Sequence, residues 1–167
     1  RTRVRDQGFF GQEELLLFNE RLLLTGGVRA DRSTNNSDPD KLFWYPKASV
    51  SYRFPNLNRY VDDLKLRLAV GQSGNQPRYG QKFTELTATN LSGQVPTSQI
   101  AGPASAPDLR PETQLEVETG FDATMLRNRL NLEATFYQKN ISDLLQQRTL
   151  TPGTGFTQLF FNGGDLR

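Results

Sequence analysis

The sequence contains no cysteine and no histidine. Those two absences remove disulfides, thiol nucleophiles, zinc fingers, imidazole bases and the commonest metal ligand together. Long hydrophobic runs are missing as well: no stretch approaches the roughly 20 apolar residues of a membrane-spanning helix. No apolar leader follows Arg1-Thr2-Arg3 either. Nor does charge of one sign dominate, since 20 Lys plus Arg stand against 18 Asp plus Glu for a formal net charge of +2. Without a basic run to track phosphates, nucleic acid is not an expected partner. Most familiar catalytic and cofactor chemistry is therefore out of reach, and no enzyme activity, metal or cofactor is expected.

What the chain does have is alternation. Between 21 and 31 the even positions Leu22, Leu24, Gly26, Val28 and Ala30 are apolar or small, while Leu23, Thr25, Gly27, Arg29 and Asp31 turn polar. Period two is the signature of a strand with two unlike faces. The same pattern sets Trp44, Pro46, Ala48, Val50, Tyr52 and Phe54 against Tyr45, Lys47, Ser49, Ser51 and Arg53. It sets Leu64, Leu66, Leu68 and Val70 against Lys65, Arg67, Ala69, Gly71 and Ser73. Two more copies oppose Leu115, Val117, Thr119, Phe121 and Ala123 to Gln114, Glu116, Glu118, Gly120 and Asp122, and Leu130, Leu132, Ala134 and Phe136 to Asn131, Glu133, Thr135 and Tyr137. An earlier strand over 5–18 is broken on both faces by Glu13 and Glu14, and a last one over 156–167 is weakened by Gly163-Gly164.

The expected strands are thus 5–18, 21–34, 44–54, 64–73, 111–124, 129–142 and 156–167, with long loops over 35–43 and 74–110. Short and long connections alternate, so neighbours are antiparallel. Placing Val50 opposite Val28 and Leu64 opposite Phe54 keeps apolar residues facing apolar residues across both hairpins. Strands of about ten residues exceed the usual five or six of soluble sheets, and at a tilt of about 40° they span on the order of 25 Å. The fold class read from this is all-β: an antiparallel, up-and-down transmembrane β-barrel segment of about seven strands, incomplete. Mean hydropathy of −0.60 does not contradict it, because an average cannot see alternation. In this reading Arg29, Asp31, Lys47, Arg53, Lys65, Arg67, Glu116 and Glu118 face a wet lumen, and Trp44 and Phe54 mark the two membrane girdles. The mixed charges of that wall name no ligand.

Several segments then resemble a known family. Glu20-Arg21-Leu22-Leu23-Leu24-Thr25-Gly26-Gly27-Val28-Arg29-Ala30-Asp31 and Tyr45-Pro46-Lys47-Ala48-Ser49-Val50-Ser51 look like consecutive barrel strands of SusC/RagA-type TonB-dependent receptors. Leu66-Arg67-Leu68-Ala69-Val70-Gly71-Gln72-Ser73-Gly74-Asn75-Gln76, Leu109-Arg110-Pro111-Glu112-Thr113 and Phe160-Phe161-Asn162-Gly163-Gly164 are similar to that family in the same order. The resemblance implies a plugged barrel of about 22 strands in the Gram-negative outer membrane, importing a large nutrient with energy relayed by TonB. Outer-membrane lipid is then a partner, TonB acts through an N-terminal part that these residues do not include, and a surface lipoprotein lid is possible, as in many members. The plug domain is expected to be absent from this segment, which is too short to close such a barrel. A glycan, a peptide or a metal chelate would all fit as cargo.

Other readings compete with this one. A soluble secreted or surface-displayed all-β binding module would show the same alternation. An outer-membrane hydrolase could use Glu116 and Glu118, whose backbones lie roughly 6 to 7 Å apart on one strand face, within the range of paired carboxylates; a wet lumen requires such polar residues anyway. Asp31, Asn35, Asn36, Asp38 and Asp40 supply oxygens for a calcium ion but lack the Gly and terminal Glu of an EF-hand. Gly71-Gln72-Ser73-Gly74 lacks the Lys and third Gly of phosphate-binding loops, and Asn-x-Ser at Asn35, Asn90 and Asn140 has no meaning without a glycosylating pathway. The 74–110 segment is expected to be an extracellular ligand-capturing loop, because Pro77, Pro96, Pro103 and Pro107 remove backbone donors and its length exceeds ordinary connections.

Overall fold

In the computed structural model, residues 3–167 are described apart from 92, 94, 102, 105 and 107. Six long strands run side by side: β1 (Asp6–Leu17), β2 (Leu22–Ser33), β3 (Phe43–Pro55), β4 (Val61–Asn75), and then, after three short strands, β8 (Glu112–Met125) and β9 (Leu130–Ser142). Short β12 (Asp165–Leu166) closes a seven-stranded sheet of order β1-β2-β3-β4-β8-β9-β12, with antiparallel neighbours throughout. The six long strands have 12 to 15 residues. At about 3.3 Å per residue and a tilt of about 40°, such strands cover roughly 30 Å.

Directly opposed residues point to the same side of a sheet, so the registers decide which residues share a face. One row runs Leu15, Leu24, Val50, Leu68, Thr119, Phe136; another runs Gly26, Ala48, Val70, Val117. Leu66 stands beside Phe121, Ala123 beside Leu132, and Val28 beside Pro46. Val28, Val50, Leu66, Val117 and Leu132 therefore lie on one continuous apolar face. That face is open: Leu66, Leu68, Val70, Val117, Leu132 and Phe136 are all exposed, whereas Lys65, Arg67 and Ala69 behind them are half-buried. A soluble sheet buries its apolar side; here, on β4, the apolar side is the more open of the two.

The two faces agree with the alternation, but one offset differs from expectation. Val50 pairs with Leu24, not Val28, while Phe54 pairs with Leu64 as expected. Sliding two strands by four residues leaves every side chain on its own face, so alternation is blind to the slip. Glu13 and Glu14 also part company: Glu13 joins Leu15 and Leu17 on the apolar side, and Glu14 accepts a 2.7 Å hydrogen bond from Gln12 on the other.

Connections at one end are tight. Phe18, Asn19 and Glu20 are all left-handed, and the Arg21 amide donates to Leu17 O at 3.1 Å. The β8–β9 turn repeats the device with Leu126, Arg127 and Asn128 left-handed and Arg129 N donating to Met125 O at 3.1 Å. The Asn58 side chain accepts from the amides of Tyr60 and Val61 in the β3–β4 turn.

The other end holds the long excursions, and here the sequence reading needs correction. The 74–110 segment is not a bare loop: β4 continues to Asn75, β5 (Glu85–Leu91) and β6 (Val95–Ala101) form an antiparallel hairpin, and β7 (Pro103–Ala104) follows. Pro96 fits opposite Asn90 because in a two-stranded ribbon every second amide points away from the partner. The expected strand over 156–167 is two pieces, β11 (Gln158–Asn162) and β12, split at Gly163-Gly164 where Gly164 takes a φ of 79°. β11 pairs with β10 (Leu145–Thr149), a strand whose Gln-Gln-Arg-Thr stretch has no alternation to betray it, and runs parallel to β7.

Candidate functional site

The charged face of the long sheet gathers the residues that the sequence singles out. Arg29 and Asp31 on β2, Lys47 and Arg53 on β3, Lys65 and Arg67 on β4, and Glu116 and Glu118 on β8 occupy rows opposed to one another or to other polar-face positions. Trp44 and Phe54 lie on the opposite, apolar face near the two ends of β3, Trp44 beside Ala30 and Phe54 beside Leu64. Trp44 is exposed.

Ion pairs tie much of this wall together. Arg29 Nε donates to both Asp31 oxygens at 2.8 Å, and Arg53 Nε does the same to Asp63 at 2.8 and 2.9 Å. Arg67 makes the widest reach: its Nη2 lies 3.2 Å from Asp122 on β8 and donates to Glu133 Oε1 at 3.1 Å and Thr135 Oγ1 at 2.9 Å on β9. The reach depends on Gly120, which sits directly between Arg67 and Thr135; a Cβ there would lie 3.3 Å from Arg67 Nη2 and 2.7 Å from Ala134 O. Lys47, Lys65, Glu116 and Glu118 are left without such partners among the described residues. Glu116 stands opposite Lys139 and Glu118 opposite Tyr137 across β8–β9.

The oxygens considered for calcium do not converge. Asp31 is held by Arg29, Asp38 accepts the amide of Asp40 at 3.0 Å, and Asn36 is fully buried. What the 35–43 loop does instead is bind the second long excursion. Ser37 N donates to Leu109 O at 2.9 Å, Ser37 Oγ donates to Ala106 O at 2.9 Å and accepts from Leu109 N at 2.7 Å. Lys82 Nζ donates to Thr34 O and Asn36 O at 2.6 and 2.8 Å.

Two segments quoted for their family resemblance meet at the same end. Asn162 accepts from Arg110 N at 2.9 Å and donates from Nδ2 to Arg110 O and Asp143 O at 2.8 Å, while Arg110 Nη2 pairs with Asp143 at 2.7 Å. Glu112 accepts from Asn75 Nδ2 and from Leu145 N. Beside this clamp lies a cavity of about 700 Å³ whose lining includes Lys41, Phe43, Arg110, Phe160 and Phe161. Sequence reasoning passed over Asn162, Asp143 and Tyr45. Asn162 had a signal, its place within a quoted segment, but nothing local points to a partner 52 positions away. Tyr45 is buried at 6% exposure with its hydroxyl unpartnered; the hydroxyl and ring tip lie against Gly74 and leave no room for a Cβ there.

Exposed apolar rows on one face, a charged face behind them and long excursions confined to one end are the features of a barrel wall. The whole chain, residues 1–167, matches the family described as TonB dependent receptor-like, beta-barrel, and the protein belongs to that family. TonB-dependent receptor P26 of Formosa agariphila is 32% identical over 166 residues, 95% of this chain and 17% of that protein. TonB-dependent receptor P3 of the same organism is 25% identical over 158 residues, 89% of this chain and 16% of that one. The chain thus spans about a sixth of these relatives. The RagAB peptide transporter has the same fold, with a TM-score of 0.85 at 23% identity over 97% of this chain and 18% of its own. The siderophore receptor PirA from Pseudomonas aeruginosa superposes with a TM-score of 0.65 at 16% identity, over 97% of this chain and 29% of its own.

Proposed function

We propose that this chain is part of the barrel wall of an outer-membrane, TonB-dependent active importer of the SusC/RagA kind, and that it seals lipid, lines the lumen and carries extracellular loops without performing chemistry. The observation that carries this reading is an alternating sheet whose apolar face leaves Leu66, Leu68, Val70, Val117, Leu132 and Phe136 open, over strands long enough to cross a membrane. A soluble sheet would bury those rows. Trp44 and Phe54 then sit at the two interfaces, where half-wet aromatic rings are favoured. Tight turns face the periplasm and long excursions the outside, the usual asymmetry of such barrels. Energy reaches the barrel from TonB through parts of the receptor beyond these residues, and a surface lipoprotein covers the mouth.

The cargo is a large nutrient: a peptide, as for the RagAB transporter, a metal chelate, as for the siderophore receptor PirA, or a glycan. Deleting the full-length gene and complementing it with the receptor, in cells with and without TonB, tests the reading. TonB-dependent recovery of growth on one of those nutrients as the limiting source supports it. Recovery independent of TonB, or a receptor that fractionates away from the outer membrane, overturns it.

A further inference from the structure

The tight turns at one end of the sheet form a patch of their own. Two hydrogen bonds fasten the β3–β4 turn to the β8–β9 turn: Leu126 N donates to Tyr60 O at 2.9 Å, and Asn128 N donates to Asp62 Oδ2 at 3.0 Å. They bracket Arg127 and set it near Arg59, whose guanidinium lies 4.8 Å from the centroid of the Tyr60 ring. Arg129 follows in the same turn, and Arg21 precedes β2 at the same end, where its carbonyl accepts from Arg53 N at 2.8 Å. All four of Arg21, Arg59, Arg127 and Arg129 are exposed, and none has an ion pair among the described residues. Across 18–21, 56–62 and 126–129 the carboxylates are Glu20 and Asp62, so four cations stand against two anions. Apolar side chains share the patch. Phe18, Leu57, Tyr60 and Leu126 are exposed there, and the apolar rows of the sheet run down to it through Leu130, opposite Met125.

We propose that this patch docks the anionic phospholipid head groups of the periplasmic leaflet, with the arginines on the phosphates and the apolar side chains among the first carbons of the acyl chains. The patch continues the apolar face of the sheet, so a bilayer covering that face reaches the turns as well. A plane of head groups asks for cations at one level and not for a common focus, and long arginine side chains extend along apolar surface to place their charge there. An amphipathic ring such as Tyr60, with a guanidinium against its face, favours the same depth. The choice of leaflet rests on the import reading; the preference for anionic lipid rests on the patch alone.

The test uses the full-length receptor with bimane on Leu130→Cys, in a background without other cysteines, reconstituted in phosphatidylcholine containing brominated phosphatidylglycerol or brominated phosphatidylcholine. Bromine quenches the probe on contact, so the two quenching curves give the local preference for anionic lipid. That preference should be about fivefold or more, and salt at about 0.5 M should lower it. Changing Arg59, Arg127 and Arg129 together to Gln should abolish it, whereas changing the same three to Lys, which keeps the charges, should retain most of it. Arg148→Gln, on the excursion at the far end, should alter it by less than about twofold. Heat-modifiable gel mobility establishes that each variant is folded. Equal quenching by the two lipids with the arginines intact, or equal losses in the Gln and Lys sets, would overturn the proposal. Neither TonB nor uptake enters the measurement, so its failure and that of the import reading are told apart. Labelling of Leu57→Cys in intact cells by a membrane-impermeant maleimide would refute the orientation, and the periplasmic leaflet with it.

Discussion

The Arg67 guanidinium crosses Gly120 to reach β9, donating to Thr135 at 2.9 Å and Glu133 at 3.1 Å from a strand that pairs only with β3 and β8. A side chain at position 120 would stand in its path. Gly120→Val in the full-length receptor should therefore displace Arg67 and strip Glu133 of its charge partner. The overpacked site should cost about 1 to 3 kcal/mol, read as a lower urea midpoint in micelles. An unchanged midpoint would mean that Arg67 moves aside freely and that the link is incidental.

Membrane-facing and lumen-facing positions should respond oppositely to the same charge. Leu68 and Ala69 are neighbours on β4 that point to the apolar and polar sides. Leu68→Arg should cost about 2 to 4 kcal/mol if its position lies near the bilayer midplane, and reduce the assembled fraction on a heat-modifiability gel. Ala69→Arg should be tolerated. Equal tolerance of both would remove lipid from the apolar face.

Taken alone, these 167 residues should not form a soluble monomer. β1 presents an unpaired edge, and a broad apolar face carries Phe9, Leu68 and Phe136 in the open. Size-exclusion chromatography without detergent should show aggregate in the void volume. A sharp monomer peak with cooperative unfolding would instead support a soluble β module.

The β5–β6 hairpin stands apart from the long sheet, which makes it separable in function. Replacing 83–91 in the full-length receptor with a Gly/Ser linker should leave assembly intact and lower uptake several-fold, if the excursion captures ligand. Measured together, heat-modifiable mobility and nutrient-limited growth check this. Full uptake after the replacement would reduce the hairpin to surface decoration.

Sequence alone determined the faces. Period two is a property of the backbone at each residue, so Leu66 and Arg67 were bound to opposite sides whatever else the chain did. It also determined that strands were long and turns unequal, and hence that a membrane barrel was the fold class. Tertiary structure decided everything that depends on offset and on distant partners. Val50 lies against Leu24 because a four-residue slip preserves alternation, leaving the choice to the connections and to the stagger between strands. Arg110 finds Asn162 and Arg67 finds Glu133 across 52 and 66 positions, and no local pattern encodes pairs so far apart. Lys47 was legible as a charge on a polar face; that its stem lies over Gly27 was settled only when the strands took their register, because a long side chain lies where its neighbours are small.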